Sequence, residues 1–346
     1  SGVNLEAVSL TVEGVATSVA NALAETGSGL SGVKFTKADT NAGIGTGANG
    51  RQSAQAGITG GSVKARKDIV VRAFNKGSAT ANIKSGAQES VFGNVENKTL
   101  PTASYYNTKA YANGDTKLVS ELGSISITTE DDARAQSIVS GANVSAGGII
   151  NLDYTKGENQ VDVVNAIELK GTMDAYAHFT ARTISNANMT ARSSKDGKGF
   201  YAKTQISAKN TLTRSATIRV LDGTVIKANF GKLDILAEAG RGDIITTNAK
   251  IDSDGVISTA KIDIDVTVDS TAQVIVGAAE IRNRFGTVTI GADSSENSVN
   301  SIGSTDASGL GTAPRADICN NITLTANMAI KPNSKAVIEG TVVNIV

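Results

Sequence analysis

Tryptophan is absent, proline occurs three times, and cysteine and histidine occur once each in 346 residues. Each shortage excludes something. A single cysteine, Cys319, leaves no disulfide framework within the chain. A single histidine, His178, excludes a multi-histidine metal centre. Aromatics at 4% are too few for the core of an ordinary β-sandwich of this length. An excess of one charge is missing too, because 33 Lys+Arg balance 33 Asp+Glu. A balanced chain of pI near 6.6 offers no basic face for nucleic acid. No run approaches the roughly 18 apolar residues of a membrane span. Yet 40% hydrophobic residues is too many for a disordered chain.

What is abundant is glycine, 36 in all, spaced between short alternating runs. The recurring unit is Gly or Asn, then alternating aliphatic and polar residues, then a small residue. It occurs as Gly123-Ser-Ile-Ser-Ile-Thr-Thr129, Gly231-Lys-Leu-Asp-Ile-Leu-Ala237, Gly286-Thr-Val-Thr-Ile-Gly-Ala292 and Asn321-Ile-Thr-Leu-Thr-Ala326. Alternation predicts Ile262, Ile264, Val266 and Val268 on one face, and Asp263, Asp265, Thr267 and Asp269 on the other. A narrow aliphatic interior, few aromatics, and proline kept out of the ladder all suit a solenoid of coiled parallel strands. The fold expected is all-β, one continuous β-solenoid over residues 1–346 with irregular loop insertions. At roughly 20–25 residues per coil the chain would make on the order of 14–17 coils. That is a rod of about 65–80 Å.

Three stretches break the pattern. Residues 1–61 are less regular: Val12, Val15, Val19 and Leu23 have helical spacing, while Val8, Leu10 and Val12 alternate like a strand, which is the favoured reading. Within this part, Gly43 to Gly50 reads as a flexible loop. Residues 94–114, with Pro101, Tyr105, Tyr106 and Tyr111, and residues 294–314 read as loop excursions. Cys319, between Ile318 and Ile322, reads as a buried, inert thiol. The first residues, Ser1-Gly-Val, and the final run, Thr341-Val-Val-Asn-Ile-Val346, suggest a segment of a longer protein, so missing targeting signals say nothing of location.

Candidate sites are few. Arg241-Gly242-Asp243 falls at a corner after an alternating run, where a projecting Arg–Asp pair could meet an integrin-type receptor; a plain turn is the competing reading. Asp252-Ser-Asp254-Gly255 starts like a calcium loop but lacks the remaining ligands, so both aspartates are weak metal candidates and no metal is expected. In Met173-Asp-Ala-Tyr-Ala-His-Phe-Thr-Ala-Arg182, alternation sends Met173, Ala175, Ala177, Phe179 and Ala181 to the core. Tyr176, His178 and Arg182 then share an outer row suited to binding. No nucleophile or carboxylate is placed beside His178, so catalytic residues and cofactors are expected to be absent. The sequons at Asn97, Asn143, Asn188 and Asn321 are expected by chance in so polar a chain.

The units Gly231–Ala237 and Gly286–Ala292, with its Asp-Ser-Ser continuation, resemble filamentous haemagglutinin-type passengers. Tyr111-Ala-Asn-Gly-Asp-Thr-Lys-Leu118 through Ala142-Asn-Val-Ser-Ala-Gly-Gly148 looks like leukotoxin-type filamentous adhesins. The resemblance covers roughly residues 62–346. It implies a right-handed parallel β-helix exported by a type V route and displayed at the bacterial cell surface. It also implies adhesion to host cells or other bacteria through a receptor such as a glycan or an integrin, with leukocyte toxicity in one branch. Neighbouring coils are then the remaining partners, and no membrane span or nucleic acid is involved. The alternatives are a polysaccharide-acting enzyme on the same kind of coil, using Asp263, Asp265, Asp269, Arg282 and Arg284, or a filament subunit without a specific receptor.

Overall fold

The computed structural model describes residues 4–47, 49–141, 144–295, 297–331 and 335–346, which leaves Ser1–Val3 and the sequon at Asn143 outside. Among the described residues there is strand and turn but no helix. The repeating unit is clearest in residues 172–220. A short strand, Thr172–Ala175, is followed by two long ones, Phe179–Lys198 and Tyr201–Val220. The next coil repeats the plan and pairs in parallel with the one before. Phe179 lies beside Leu233, and Tyr201 beside Ile257. The short strands form a 7-stranded parallel sheet, so the described residues make six complete coils and the start of a seventh. These coils span 4–59, 62–113, 117–169, 172–220, 225–276 and 280–330, with the seventh from 337.

This architecture corrects the expected coil size. Paired residues on neighbouring coils are between 51 apart (Ile150 and Tyr201) and 60 apart (Val33 and Gly93). The short runs visible in the sequence are thus pieces of strands up to 26 residues long. Six rungs at about 4.8 Å rise only ~30 Å, whereas a 20-residue strand is ~65 Å long. The segment is a flat slab, wider than it is tall, with the two long strands of each coil folded face to face.

Alternation decides what fills the slab. In Phe179–Lys198 every second residue is buried, from Phe179 to Gly197. Beside the short sheet the inward side chains are aliphatic: Val71, Ile127, Ala181 and Ile235 stack on successive coils. A second apolar cluster lies farther along the long strands, with Ala135, Met189, Ile206, Leu212 and Ile262 among its members. Polar seams share the interior with these clusters. In one, Thr102 donates to Asn159 (2.6 Å), Asn159 to Asn210 (2.7 Å) and Asn210 to Thr247 (2.6 Å), a buried ladder that climbs the coils.

Several expectations change here. Residues 94–114 leave no loop, because Gln88–Asn113 is one continuous strand. Its inward residues include Asn94, Glu96, Lys98, Thr102, Ser104 and Thr108, which disguise the alternation. Pro101 is tolerated because the first coil breaks opposite it, between Asp39 and Ala42. Residues 297–308 and 311–330 are likewise strands rather than an excursion. Leu10–Thr26 is a strand, and the helix-spaced Val15, Val19 and Leu23 point outward and are exposed. Gly43 is within a short strand, and Thr46 N–H donates to the Gly50 carbonyl (2.8 Å) to close the stretch, of which Ala48 is outside the described residues. Cys319 is exposed, not buried. It sits at odd parity between Ile318 and Asn320, beside outward-facing Asp265 of the previous coil.

Candidate functional site

The Arg241-Gly242-Asp243 corner exists because the fifth coil carries two extra residues. Ser185 pairs with Ala239, but Asn188 pairs with Ile244. The surplus bulges out, and Gly240 and Gly242 take positive φ (103° and 83°) to make the turn. The strand re-enters at Asp243, which points inward and is 1% exposed. One carboxylate oxygen accepts the Ala187 N–H at 2.7 Å, in place of a ladder bond. The other is ion-paired to Arg214 of the facing long strand, and both side chains are fully buried. Burial pushes the Asp243 carboxyl up while Arg214 opposes the shift. The tripeptide therefore does not present an Arg–Asp pair to solvent, which corrects the integrin-type expectation. Arg214 was not singled out in the sequence. Its signal was parity, since it shares the inward register of Leu212, Ala216 and Ile218.

What the corner does present is Arg241. Its side chain lies 3.7 Å from Glu238, and Glu238 is also held by Arg182 of the coil below in a two-pronged pair (2.8 and 2.7 Å). With Asp293 and Ser295 of the coil above, these residues line an open polar cleft of about 150 Å³. Two stretches chosen separately in the sequence thus meet at one carboxylate.

Tyr176 and His178 lie elsewhere. The run Met173–Arg182 is not one strand but turns a corner at residues 176–178. Met173, Ala175, Phe179 and Ala181 are buried as expected, whereas Ala177 lies in the turn and is only half-buried. Tyr176 packs against Phe230 (5.0 Å between ring centres), and Phe230 against Phe285 (5.3 Å), so the rings form a ladder up this corner. The Arg284 guanidinium covers Phe285 at 4.9 Å. His178 Nδ1 accepts the Lys232 N–H at 2.9 Å, fixing the ring to the next coil. A wider hollow of about 480 Å³ lies on the neighbouring short strands, beside Lys227, Asn229, Arg282 and Arg284.

The acidic candidates spread along outer faces. Asp252 stacks between Asp196 and Asp306 on adjacent coils. Partial burial and the neighbouring Asp254, Asp196 and Asp306 carboxylates push its pKa up. Among the described residues no group of three or more His, Cys, Asp or Glu is arranged to hold a metal ion. Asp263 accepts from Lys261 (2.8 Å) and Gln205 (3.1 Å) midway along its strand, and Asp265 faces Lys209 (3.6 Å). Arg282 is on the other sheet and pairs with Glu280 (2.8 Å) and Glu339 (3.3 Å). More than ten residues of extended strand, on the order of 40 Å, separate these aspartates from the arginines.

The closest convergence of ionisable groups lies inside the slab. Glu96 is paired with Lys98 (2.6 Å) and with Lys195, and Lys195 reaches Asp153 (3.6 Å). Burial brings Lys98 down to about 8, while the two lysines hold Glu96 low against its own burial. Asp131, inward on the third coil, accepts from Thr108, and burial pushes its carboxyl up to about 8. Glu96, Lys98, Asp153 and Lys195 make a charge-balanced cluster closed to solvent.

Set against protein-family models, curated proteins and solved structures, the chain matches none of them.

Proposed function

We propose that the chain is a non-enzymatic segment of a secreted bacterial surface adhesin, wound as a right-handed β-solenoid, that attaches to host cells or other bacteria through many weak outer contacts. The observation that carries this reading is the division of labour between inside and outside. The tightest charge clusters, at Glu96 and Arg214, are sealed in the interior, where no ligand reaches. The outer faces are broad, flat and tied coil to coil by ion pairs such as Arg72–Glu130 (3.0 Å) and Lys109–Glu168 (3.1 Å). Such a surface offers shallow polar clefts, such as the one around Glu238. A stiff scaffold repeating weak contacts gains affinity by avidity. Each further coil would add about 4.8 Å of the same surface, so a longer stack becomes a rod.

The test is display. The chain is coupled to beads at increasing density and incubated with epithelial cells and with other bacteria. Retention should rise more steeply than density, and the pair Arg182→Ala and Arg241→Ala should lower it several-fold. Density-independent background, or release of sugar ends from a panel of polysaccharides, would refute the reading.

A further inference from the structure

The corner where the two long strands of each coil meet carries a feature that the adhesive reading does not use. At this corner a glycine precedes a large apolar residue on four successive coils: Gly148-Ile149, Gly199-Phe200, Gly255-Val256 and Gly309-Leu310. The glycines are there because the backbones nearly touch. A Cβ on Gly255 would lie 2.3 Å from the Gly199 carbonyl oxygen, and one on Gly309 would lie 1.7 Å from that of Gly255. So sharp a bend throws the next side chain outward. Ile149, Phe200, Val256 and Leu310 therefore form an exposed column, continued on the second coil by Phe92. Phe200 is 55% exposed and Leu310 94%. The column is about 20 Å tall at 4.8 Å per rung. The exposed Val91, Ile150 and Ile257 widen it, so the ridge presents several hundred Å² of apolar surface in one patch, at or above what a monomer ordinarily leaves in water.

We infer that this ridge is the contact face of a side-by-side dimer of the chain, two slabs meeting edge to edge with their coil axes antiparallel. The area fits such a partner. It falls below the roughly 800 Å² per side of a standard stable interface and suits a weak, concentration-dependent one. The charges flanking the ridge select the register. A two-fold axis between the fourth and fifth coils sets Phe200 against Val256 of the second copy. The same operation brings Lys198, two residues before Phe200, opposite Asp254 of the second copy, and repeats the pair by symmetry. The inference is independent of what the outer faces bind, and it uses the internal coils rather than the ends of the stack.

Sedimentation velocity from low to high micromolar concentration, with Cys319 kept reduced, tests it. The native chain should move from one to two copies. Phe200→Ser should raise the dissociation constant at least tenfold. Lys198→Asp and Asp254→Lys should each weaken the dimer, and the two together should restore it to within a few-fold of native. Because these charge positions are on the surface, the swap remains informative if Phe200→Ser fails to fold. A single-copy mass at every concentration would overturn the inference. So would a dimer indifferent to Phe200→Ser, a double swap no tighter than its parents, or a chain that stays monomeric and instead sediments with phosphatidylcholine vesicles through the ridge.

Discussion

The interior beside the short sheet and the seams farther along the long strands follow one alternation with opposite chemistry. Near the short sheet, Val71, Ile127, Ala181 and Ile235 fill the inward positions, and losing part of one side chain costs packing alone. In the seams, the same inward register holds Glu96, Lys98, Asp131, Lys195 and Arg214. Each of these must be matched by a partner on another strand, often on another coil. The difference teaches that register, rather than hydrophobicity, is what the coil enforces. A slip of the facing strands would unpair these buried groups, so the seams oppose slippage. Such matching constrains geometry more than it adds stability, since a buried pair gains little over apolar residues but loses much when halved.

The comparison can be broken most severely at Glu96. Glu96→Gln removes one carboxylate from beside buried Lys98 and Lys195, and should cost about 3–5 kcal/mol by urea denaturation. A loss below that of an aliphatic truncation would mean that the seam is wet. Asp131 comes next. Its pKa is raised from the ordinary 3.8 to about 8, so the folded chain holds a proton that the unfolded chain releases. The stability this provides is complete below about pH 4 and is lost as pH rises through about 8. Asp131→Asn should flatten that slope and leave the variant more stable than native at pH 8–9, by on the order of a few kcal/mol. A native stability that climbs over the same interval would contradict the burial of this group. In the apolar half, Ile127→Val should cost only ~0.5–1.5 kcal/mol and be insensitive to pH. Smallest of all, Arg241→Ala removes an exposed partner 3.7 Å from Glu238 and should shift the unfolding midpoint by less than about 0.5 kcal/mol.

Much of the layout was legible as alternation. Ile262, Ile264, Val266 and Val268 are buried and Asp263 and Asp265 face out, as period two requires. The parallel coil was legible in the scarcity of proline and aromatics. The size of the coil was not, because the runs between glycines are far shorter than the strands. Gly157, Gly197 and Gly303 lie inside strands rather than ending them. Polar inward residues hid the rest: the alternation through Asn94, Glu96, Lys98 and Thr102 is intact but carries no hydrophobic mark. At the candidate site, local reading found Arg182 and Arg241 separately. Their meeting at Glu238 depends on a pairing 56 residues away in the chain. Asp243 was misplaced because Gly240 and Gly242 mark a projecting turn; the two extra residues leave parity unchanged, so Asp243 keeps the inward register of Ile235, Ala237 and Ala239.

Two pairs of spin labels, in a background with Cys319 replaced by serine, address the winding itself. Thr180 and Asp234 are register partners on adjacent coils, while Thr180 lies near the start of one 20-residue strand and Lys203 just past the corner at that strand's far end. Labels on the first pair should show strong dipolar broadening, and labels on the second should be separated by on the order of 60 Å. Broadening between positions 180 and 203, with positions 180 and 234 far apart, would mean that the chain winds in coils of some twenty residues, and the slab of wide, seam-pinned coils would be wrong.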